Sequence, residues 1–168
     1  HTRWATHGGV TPENAHPHFN ENKQIAVVHN GIIENFVELR SELRGRGHVF
    51  FSDTDTEVLC HLMEEFLREG DDLLHAAKKT AMRCEGRFAF VAMKHGMNML
   101  VGVRNGSPLI LGVGNNGDSY LASDTPAFIE HTQNVHYIDD GEIVQITPGY
   151  AHVYNLDSLK EIEKRDVT

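Results

Sequence analysis

This sequence of 168 residues has little cysteine and no long apolar stretch. Its two cysteines, Cys60 and Cys84, are too few to build a disulfide framework, so we expect reduced thiols and a cytoplasmic location. The longest apolar stretches run four to six residues, whereas a helix needs about 20 to cross a bilayer. We therefore expect no membrane partner.

Basic residues are also in the minority. The sequence contains 15 Lys and Arg and 24 Asp and Glu, which gives a formal net charge of −9. Nucleic-acid binding needs a basic face that attracts phosphates, so this balance argues against a nucleic-acid partner. With 40% hydrophobic residues the chain is too apolar for a disordered protein, and its length suits one domain.

Histidine, in contrast, is abundant. Five of the twelve histidines lie in the first 29 residues, at positions 1, 7, 16, 18 and 29, which is enough ring nitrogen for a zinc site. No two of these five histidines, however, are four residues apart, which is the spacing of the histidine pair on zinc-protease helices. We therefore expect no metal and no cofactor, and a non-catalytic histidine-rich metal or interaction module remains an alternative.

Helices are predicted in the first half of the chain. A short apolar run at residues 25–29 predicts a strand that ends at a tight Asn30-Gly31 turn, and apolar spacing from Ile32 to Leu43 predicts a helix. Thr54 and Glu57 form a capping-box pattern for a second helix, and Asp71 or Asp72 could cap a third.

Strands are predicted in the second half. Seven short runs rich in β-branched and aromatic residues follow residue 87, separated mostly by tight turns: 88–93, 99–104, 109–113, 119–122, 135–138, 143–147 and 150–154. Short strands joined in this way pair in antiparallel fashion. The sequence thus predicts an α+β domain in which two sheets pack face to face with helices outside.

Three polar segments could hold a small charged ligand. Residues 1–8 carry Arg3, whose guanidinium binds a carboxylate through two parallel hydrogen bonds. Asn30 and Gly31 offer two neutral N–H donors of the kind that stabilise an oxyanion. Residues 52–57 hold three carboxylates and three hydroxyls, more than a helix cap needs, so one carboxylate could bind an ammonium. Each segment also has an ordinary explanation: a surface loop, a turn and a helix cap.

In this fixed order, the three segments closely resemble one family. His-Thr-Arg-Trp-Ala-Thr-His-Gly at 1–8, Val-Val-His-Asn-Gly-Ile-Ile at 27–33 and Ser-Asp-Thr-Asp-Thr-Glu at 52–57 are similar to the glutaminase (type 2 glutamine amidotransferase) domain of glutamine–fructose-6-phosphate transaminases. The segments at 106–109 and 122–124 extend the likeness to about residue 155. The amidophosphoribosyltransferases share part of these motifs but typically have Tyr-Ser-Thr where this chain has Trp4-Ala5-Thr6-His7, and they remain an alternative.

The resemblance implies a fold and a division of the chain. The family fold is the four-layer α/β/β/α sandwich of N-terminal-nucleophile hydrolases, here incomplete at its N-terminus. Residues 1–155 would belong to the glutamine amidotransferase domain, and residues 156–168 would form an edge strand or the start of an interdomain linker.

The resemblance also implies a substrate, L-glutamine, and a role for each matching residue. Arg3 would bind the α-carboxylate of glutamine and Asp55 its α-ammonium, while Thr6 and His7 would line the loop that closes over it. Asn30 and Gly31 would form the oxyanion hole.

Further partners follow from the same family. Trp4 would help gate the passage of ammonia towards a sugar-isomerase domain, which converts fructose 6-phosphate to glucosamine 6-phosphate. The full-length protein would be a homo-oligomer. The family nucleophile is an N-terminal cysteine whose α-amino group is the base, and neither Cys60 nor Cys84 matches its position. We therefore expect a preceding segment to carry the nucleophile, and these 168 residues alone to be inactive.

Overall fold

The computed structural model describes residues 5–164. Two strands and three helices come first: β1 (His18–Phe19), β2 (Ile25–Gly31), α1 (Phe36–Gly45), α2 (Glu57–Arg68) and α3 (Leu73–Arg83). Eight strands follow: β3 (Phe88–Lys94), β4 (Leu100–Asn105), β5 (Ile110–Val113), β6 (Ser119–Ala122), β7 (Val135–Tyr137), β8 (Glu142–Thr147), β9 (Tyr150–Asn155) and β10 (Glu161–Ile162). The seven strands predicted in the second half are confirmed as β3 to β9, with every boundary within one residue.

The strands form two antiparallel sheets, as predicted. The larger has seven strands in the order β1-β2-β3-β4-β8-β9-β10, and the smaller has three in the order β6-β5-β7. Alternate residues along a strand point to opposite faces, so on β3 Phe88 and Phe90 join the core shared with the helices, whereas Ala89 packs in a second core with the small sheet. Among the described residues, helices, large sheet and small sheet therefore form three successive layers, one fewer than the four of the expected α/β/β/α sandwich.

The two sheets approach each other closely at Gly102 on β4. A methyl group at this position would lie 3.0 Å from Leu121 Cδ1, 3.1 Å from Leu109 Cδ2 and 3.7 Å from Val91 Cγ2. Phe128, which follows the short 3₁₀ turn Thr125–Ala127, packs against Gly112 of the small sheet. Within residues 5–164, none of the helices is both long and apolar enough to cross a bilayer.

The Asn30-Gly31 turn and the first helical residues were predicted wrongly. Asn30 and Gly31 belong to β2 and pair with Ala89 and Phe88 of β3. Ile32 continues this pairing, because its N–H donates to the carbonyl of Arg87, so α1 begins only at Phe36. The helical spacing of the apolar residues could not reveal these partners, which lie more than 50 residues away in the chain.

The capping box predicted for α2 is also wrong. The helix begins at Glu57, and its N-cap Thr56 makes no side-chain cap hydrogen bond. The Glu57 carboxylate reaches back instead to the N–H groups of Phe51 and Ser52, at 2.9 and 2.7 Å. The cap of α3 is confirmed at Asp72, whose carboxylate accepts from the N–H of His75 at 2.8 Å.

Candidate functional site

Two adjoining cavities contain the described residues that the sequence singled out. A small cavity of about 100 Å³ is lined by Thr6, His7 and Asp55 among others. A groove of about 940 Å³, whose walls include residues of both sheets, is lined by Asn30 and Gly31. Thr6 and His16 line both, so the two spaces meet at these side chains. Arg3 and Trp4 lie outside the described residues.

Asp55 supplies a buried carboxylate to the small cavity. Its side chain stands in the turn before α2 and is 2% exposed. Oδ2 accepts a hydrogen bond from the backbone N–H of Ile33 at 2.8 Å, and Oδ1 lies 3.8 Å from Nδ1 of His7. Asp55 does not cap α2, because its carboxylate accepts from the chain after β2 rather than from the first turn of α2. One oxygen is anchored and the other faces His7 across the cavity.

His7 is held in place by an aromatic contact. Its ring meets the ring of Phe36 edge to face, with centroids 4.7 Å apart. Its Nδ1 is buried and has no hydrogen-bond partner among the described residues. Since a buried imidazole nitrogen gains from a hydrogen bond, this atom is available to a polar group that enters the cavity.

Asn14 ties the loop of residues 5–15 to the turn before α2. Its side-chain amide donates to the carbonyl of Gly9 at 3.0 Å, and its side-chain oxygen accepts from the N–H of Asp53 at 2.9 Å. The second bond joins two segments that are almost 40 residues apart in the chain. Together, the two bonds fix the loop that carries Thr6 and His7 beside Asp55.

Gly31 occupies a position that no other residue fits. Its φ is +114°, a conformation that side chains with a Cβ rarely adopt. A Cβ here would lie 2.1 Å from the carbonyl oxygen of Arg87 and 2.6 Å from Oγ of Ser107. The glycine lets β2 and the residues around Arg87 approach closely at the wall of the groove.

The histidines between the two cavities bond to threonine hydroxyls. His29 Nδ1 lies 2.8 Å and His16 Nε2 3.3 Å from Oγ1 of Thr56, while His18 Nε2 lies 3.2 Å from Oγ1 of Thr54. The surplus hydroxyls of residues 52–57 thus serve to hold these imidazoles. In the described part of the chain, His7, His16, His18 and His29 do not form a metal-binding group.

Glu57 stabilises the turn that presents Asp55. Burial raises the pKa of its carboxyl, but the nearby His61 imidazole and hydrogen bonds from the Ser52 hydroxyl and from the N–H groups of Phe51 and Ser52 outweigh this and lower the pKa to about 2. The carboxylate is 2% exposed. The sequence did not reveal this function, because the spacing of Thr54 and Glu57 favoured a capping box.

Neither cysteine suits a nucleophile, as predicted. Cys60 and Cys84 are both buried, at 0% and 9% exposure. Burial raises the pKa of the Cys60 thiol well above its usual range and that of Cys84 to about 12. Since the thiolate is the reactive form, both act as small core residues.

Relatives of known activity cover most of the chain. The profile of the family described as glutamine amidotransferase domain matches residues 1–130. The glutamine–fructose-6-phosphate aminotransferase (isomerizing) of Aquifex aeolicus is 51% identical over 158 residues, 94% of this chain and 26% of that protein. The protein of the same name from Methanothermobacter thermautotrophicus is 53% identical over 146 residues, 86% of this chain and 24% of that protein. The chain thus spans about a quarter of the length of these curated relatives.

A solved structure shares the architecture. The glutamine phosphoribosylpyrophosphate amidotransferase from B. subtilis, complexed with ADP and GMP, superposes with a TM-score of 0.76. It is 28% identical, and the match covers 94% of this chain and 34% of that one. The likeness confirms the fold class expected from the sequence, an α+β sandwich of the N-terminal-nucleophile hydrolase type.

Proposed function

The chain belongs to the glutamine amidotransferase domain family, and we propose that it binds L-glutamine in the small cavity beside Asp55. The observation that carries this proposal is the contact between the two cavities at Thr6 and His16. A ligand that reaches through this contact meets a carboxylate at one end and the Asn30-Gly31 segment at the other. Glutamine has the matching chemistry, an ammonium at one end and a polarised amide carbonyl at the other.

In this proposal the ammonium of glutamine bonds to Oδ1 of Asp55. The oxygen that faces His7 is the one not used by Ile33. A charge-assisted bond to a buried carboxylate is stronger than one between neutral groups. Thr6 and His7 line the bound ligand, Arg3 pairs with its α-carboxylate, and Trp4 helps to gate the ammonia path.

At the other end, Asn30 and Gly31 stabilise the oxyanion that forms when the glutamine amide is attacked. Gly31 lines the groove, and its lack of a side chain lets its backbone pack closely against Arg87 and Ser107 at the groove wall. Two N–H donors aimed at the developing negative charge lower the barrier of acyl transfer. The nucleophile is a cysteine outside these 168 residues, so the chain by itself does not release ammonia from glutamine.

The full-length protein then transfers this ammonia to fructose 6-phosphate and forms glucosamine 6-phosphate in a fused sugar-isomerase domain. The identity of 51% and 53% to proteins named for this reaction supports the assignment. We further propose a boundary of the amidotransferase domain near residue 155, a homo-oligomeric full-length protein and a cytoplasmic location.

Amidophosphoribosyltransferase activity is the second candidate, because the solved structure of that enzyme class shares the fold. Its identity of 28% is well below that of the curated relatives, which favours the first candidate. Glutamine carrying ¹⁵N in its amide separates the two. The full-length protein receives this glutamine together with fructose 6-phosphate or with phosphoribosyl pyrophosphate.

We expect ¹⁵N in an amino sugar phosphate, and only with fructose 6-phosphate. Label in phosphoribosylamine would establish the second candidate instead. If no glutamine is bound or consumed with either acceptor, both assignments fail, and the chain is a non-catalytic module.

A further inference from the structure

A second polar cluster is buried between the end of α1 and the middle of α2, apart from both cavities. It consists of His48, which follows α1, and of His61 and Glu64 on α2. Their exposed fractions are 7%, 0% and 7%. None of the three lines the cavity or the groove described above. Burial of two imidazoles and a carboxylate is costly unless all their polar atoms are satisfied.

One nitrogen of each imidazole faces a carboxylate. His48 Nε2 lies 2.8 Å from Oε1 of Glu65, and His61 Nε2 lies 3.5 Å from Oε1 of Glu57. A carboxylate only accepts hydrogen bonds, so the 2.8 Å contact assigns the ring proton of His48 to Nε2. His61 Nε2 makes no hydrogen bond among the described residues, and the nearby negative charge of Glu57 favours the same tautomer in His61. A carboxylate on the far nitrogen is also the arrangement that orients metal-bound histidines in proteins.

The other nitrogens face each other. With Nε2 protonated, Nδ1 of a neutral ring carries a lone pair. The two Nδ1 atoms are 3.1 Å apart, and Oε2 of Glu64 lies 3.5 Å from that of His48 and 3.8 Å from that of His61. In this tautomer, three electron-rich atoms surround one point with no hydrogen between them. A cation, either a proton shared by the two rings or a metal ion, would satisfy all three.

The distances favour a metal ion over a proton. Ligand atoms about 2.0–2.2 Å from a tetrahedral zinc ion lie roughly 3.3–3.5 Å from one another, and the three edges here are 3.1, 3.5 and 3.8 Å. Two imidazoles that point at one such ion have ring centroids roughly 5 Å apart, and these lie 4.8 Å apart. A proton held between the two rings would leave the Glu64 oxygen at 3.5 and 3.8 Å, too far to accept a hydrogen bond from either ring.

The carboxylate of Glu64 is already oriented for this role. Its Oε1 bonds to Arg68 at 2.6 Å, which leaves Oε2 towards the two histidines. We infer that His48, His61 and Glu64 bind one divalent transition metal ion, Zn²⁺, which fastens the segment after α1 to α2. The inference does not rest on glutamine binding, and the ion takes no part in the proposed reaction.

The test uses the full-length protein after removal of metal with a chelator. We expect Zn²⁺ to bind with one equivalent assignable to this cluster and to raise the unfolding temperature. Co²⁺ in its place should give the visible absorption of a tetrahedral nitrogen–oxygen site. Glu64→Gln and His48→Gln should each weaken Zn²⁺ binding at least about tenfold.

The matched control is His75→Gln. His75 is an exposed histidine on α3 that pairs with Asp72, so this change removes an imidazole outside the cluster and should leave Zn²⁺ binding unchanged. Equal Zn²⁺ affinity in the Glu64→Gln variant, or no Co²⁺ band in a folded protein, would overturn the inference. A ¹⁵N spectrum in which one proton joins both Nδ1 atoms in the presence of Zn²⁺ would also overturn it. Glu64→Gln keeps the shape of the side chain, so the test stands even if a histidine variant fails to fold.

Discussion

The carboxylate of Asp55 accepts a hydrogen bond from the backbone N–H of Ile33, at 2.8 Å. This bond joins the turn before α2 to the segment that leaves β2 immediately after Asn30 and Gly31. The two ends of the proposed glutamine site therefore share one structural link. A change at Asp55 affects the ligand through one oxygen and the protein backbone through the other.

Asp55→Asn should weaken glutamine binding while the fold is retained. The asparagine oxygen can still accept from Ile33, so we expect the free energy of unfolding to fall by less than about 1 kcal/mol. Loss of the negative charge should raise the glutamine Kd at least about tenfold. Calorimetric titration and thermal unfolding of the full-length protein measure the two effects.

Asp53→Asn is the matched control, because Asp53 is exposed in the same turn. It should leave glutamine affinity unchanged. An Asp55→Asn protein that melts much earlier but binds glutamine normally would limit Asp55 to a structural role.

Gly31→Ala should destabilise the protein strongly. The new methyl group would lie 2.1 Å from the carbonyl oxygen of Arg87, in a backbone conformation with φ of +114°. Gly47→Ala is the control, since Gly47 has φ of +96° but nothing within 4 Å. We expect a loss of more than about 3 kcal/mol at Gly31 and about 1 kcal/mol at Gly47, measured by denaturant unfolding. Equal losses would mean that backbone conformation alone, and not the close approach, requires glycine.

Asn30→Ala should slow the reaction of the full-length enzyme without affecting substrate binding. Removal of one oxyanion donor costs about 3 kcal/mol of transition-state stabilisation, so kcat for glutamine hydrolysis should fall about 100- to 1000-fold. The KM for glutamine should stay roughly constant. A higher KM with unchanged kcat would mean that Asn30 shapes the pocket and does not stabilise the oxyanion.

Arg3→Lys should raise the KM for glutamine strongly in the full-length enzyme. Lysine does not reproduce the two parallel hydrogen bonds of a guanidinium with a carboxylate. Synthesis from added ammonia should persist, because it bypasses glutamine. If the steady-state kinetics show an unchanged KM for glutamine, Arg3 does not bind the α-carboxylate.

Glu57→Gln should remove a pH-dependent part of the stability. The pKa of Glu57 is about 2 in the folded protein against an ordinary value of 4.5, so its contribution is complete above pH 4.5 and is lost as the pH falls towards 2. The difference in unfolding free energy between wild type and variant should therefore shrink by about 3 kcal/mol over this range. Unfolding at several pH values measures it. The exposed Glu38 on α1 is the control, and Glu38→Gln should change the unfolding free energy little.

The sheets were predictable from the sequence because their signal is local. Each strand from β3 to β9 is a short apolar run, mostly bounded by glycine, asparagine or aspartate, and neighbours in the chain often pair. The start of α1 was not predictable in this way. Its preceding residues are held by Arg87 and Glu85, which accept from Ile32 and Glu34 across more than 50 residues.

The candidate site was predictable in its residues but not in its contacts. The motifs named Thr6, His7, Asn30, Gly31 and Asp55, and the structure brings all five to two adjoining cavities. Nothing in the spacing indicates that His7 lies 3.8 Å from Asp55 or that Ser107 crowds Gly31. The pair His61 and Glu64, three residues apart on one helix face, is a signal in the sequence for a second polar cluster.

Gly102 influences the width of the groove from a position outside it. It does not line the groove, yet the three side chains that a methyl group there would meet, Val91, Leu109 and Leu121, all do. The missing side chain lets the small sheet rest directly on β4 and so fixes the width of the groove. A larger residue at position 102 would push the sheets apart and alter the fit of every ligand, although it touches none of them.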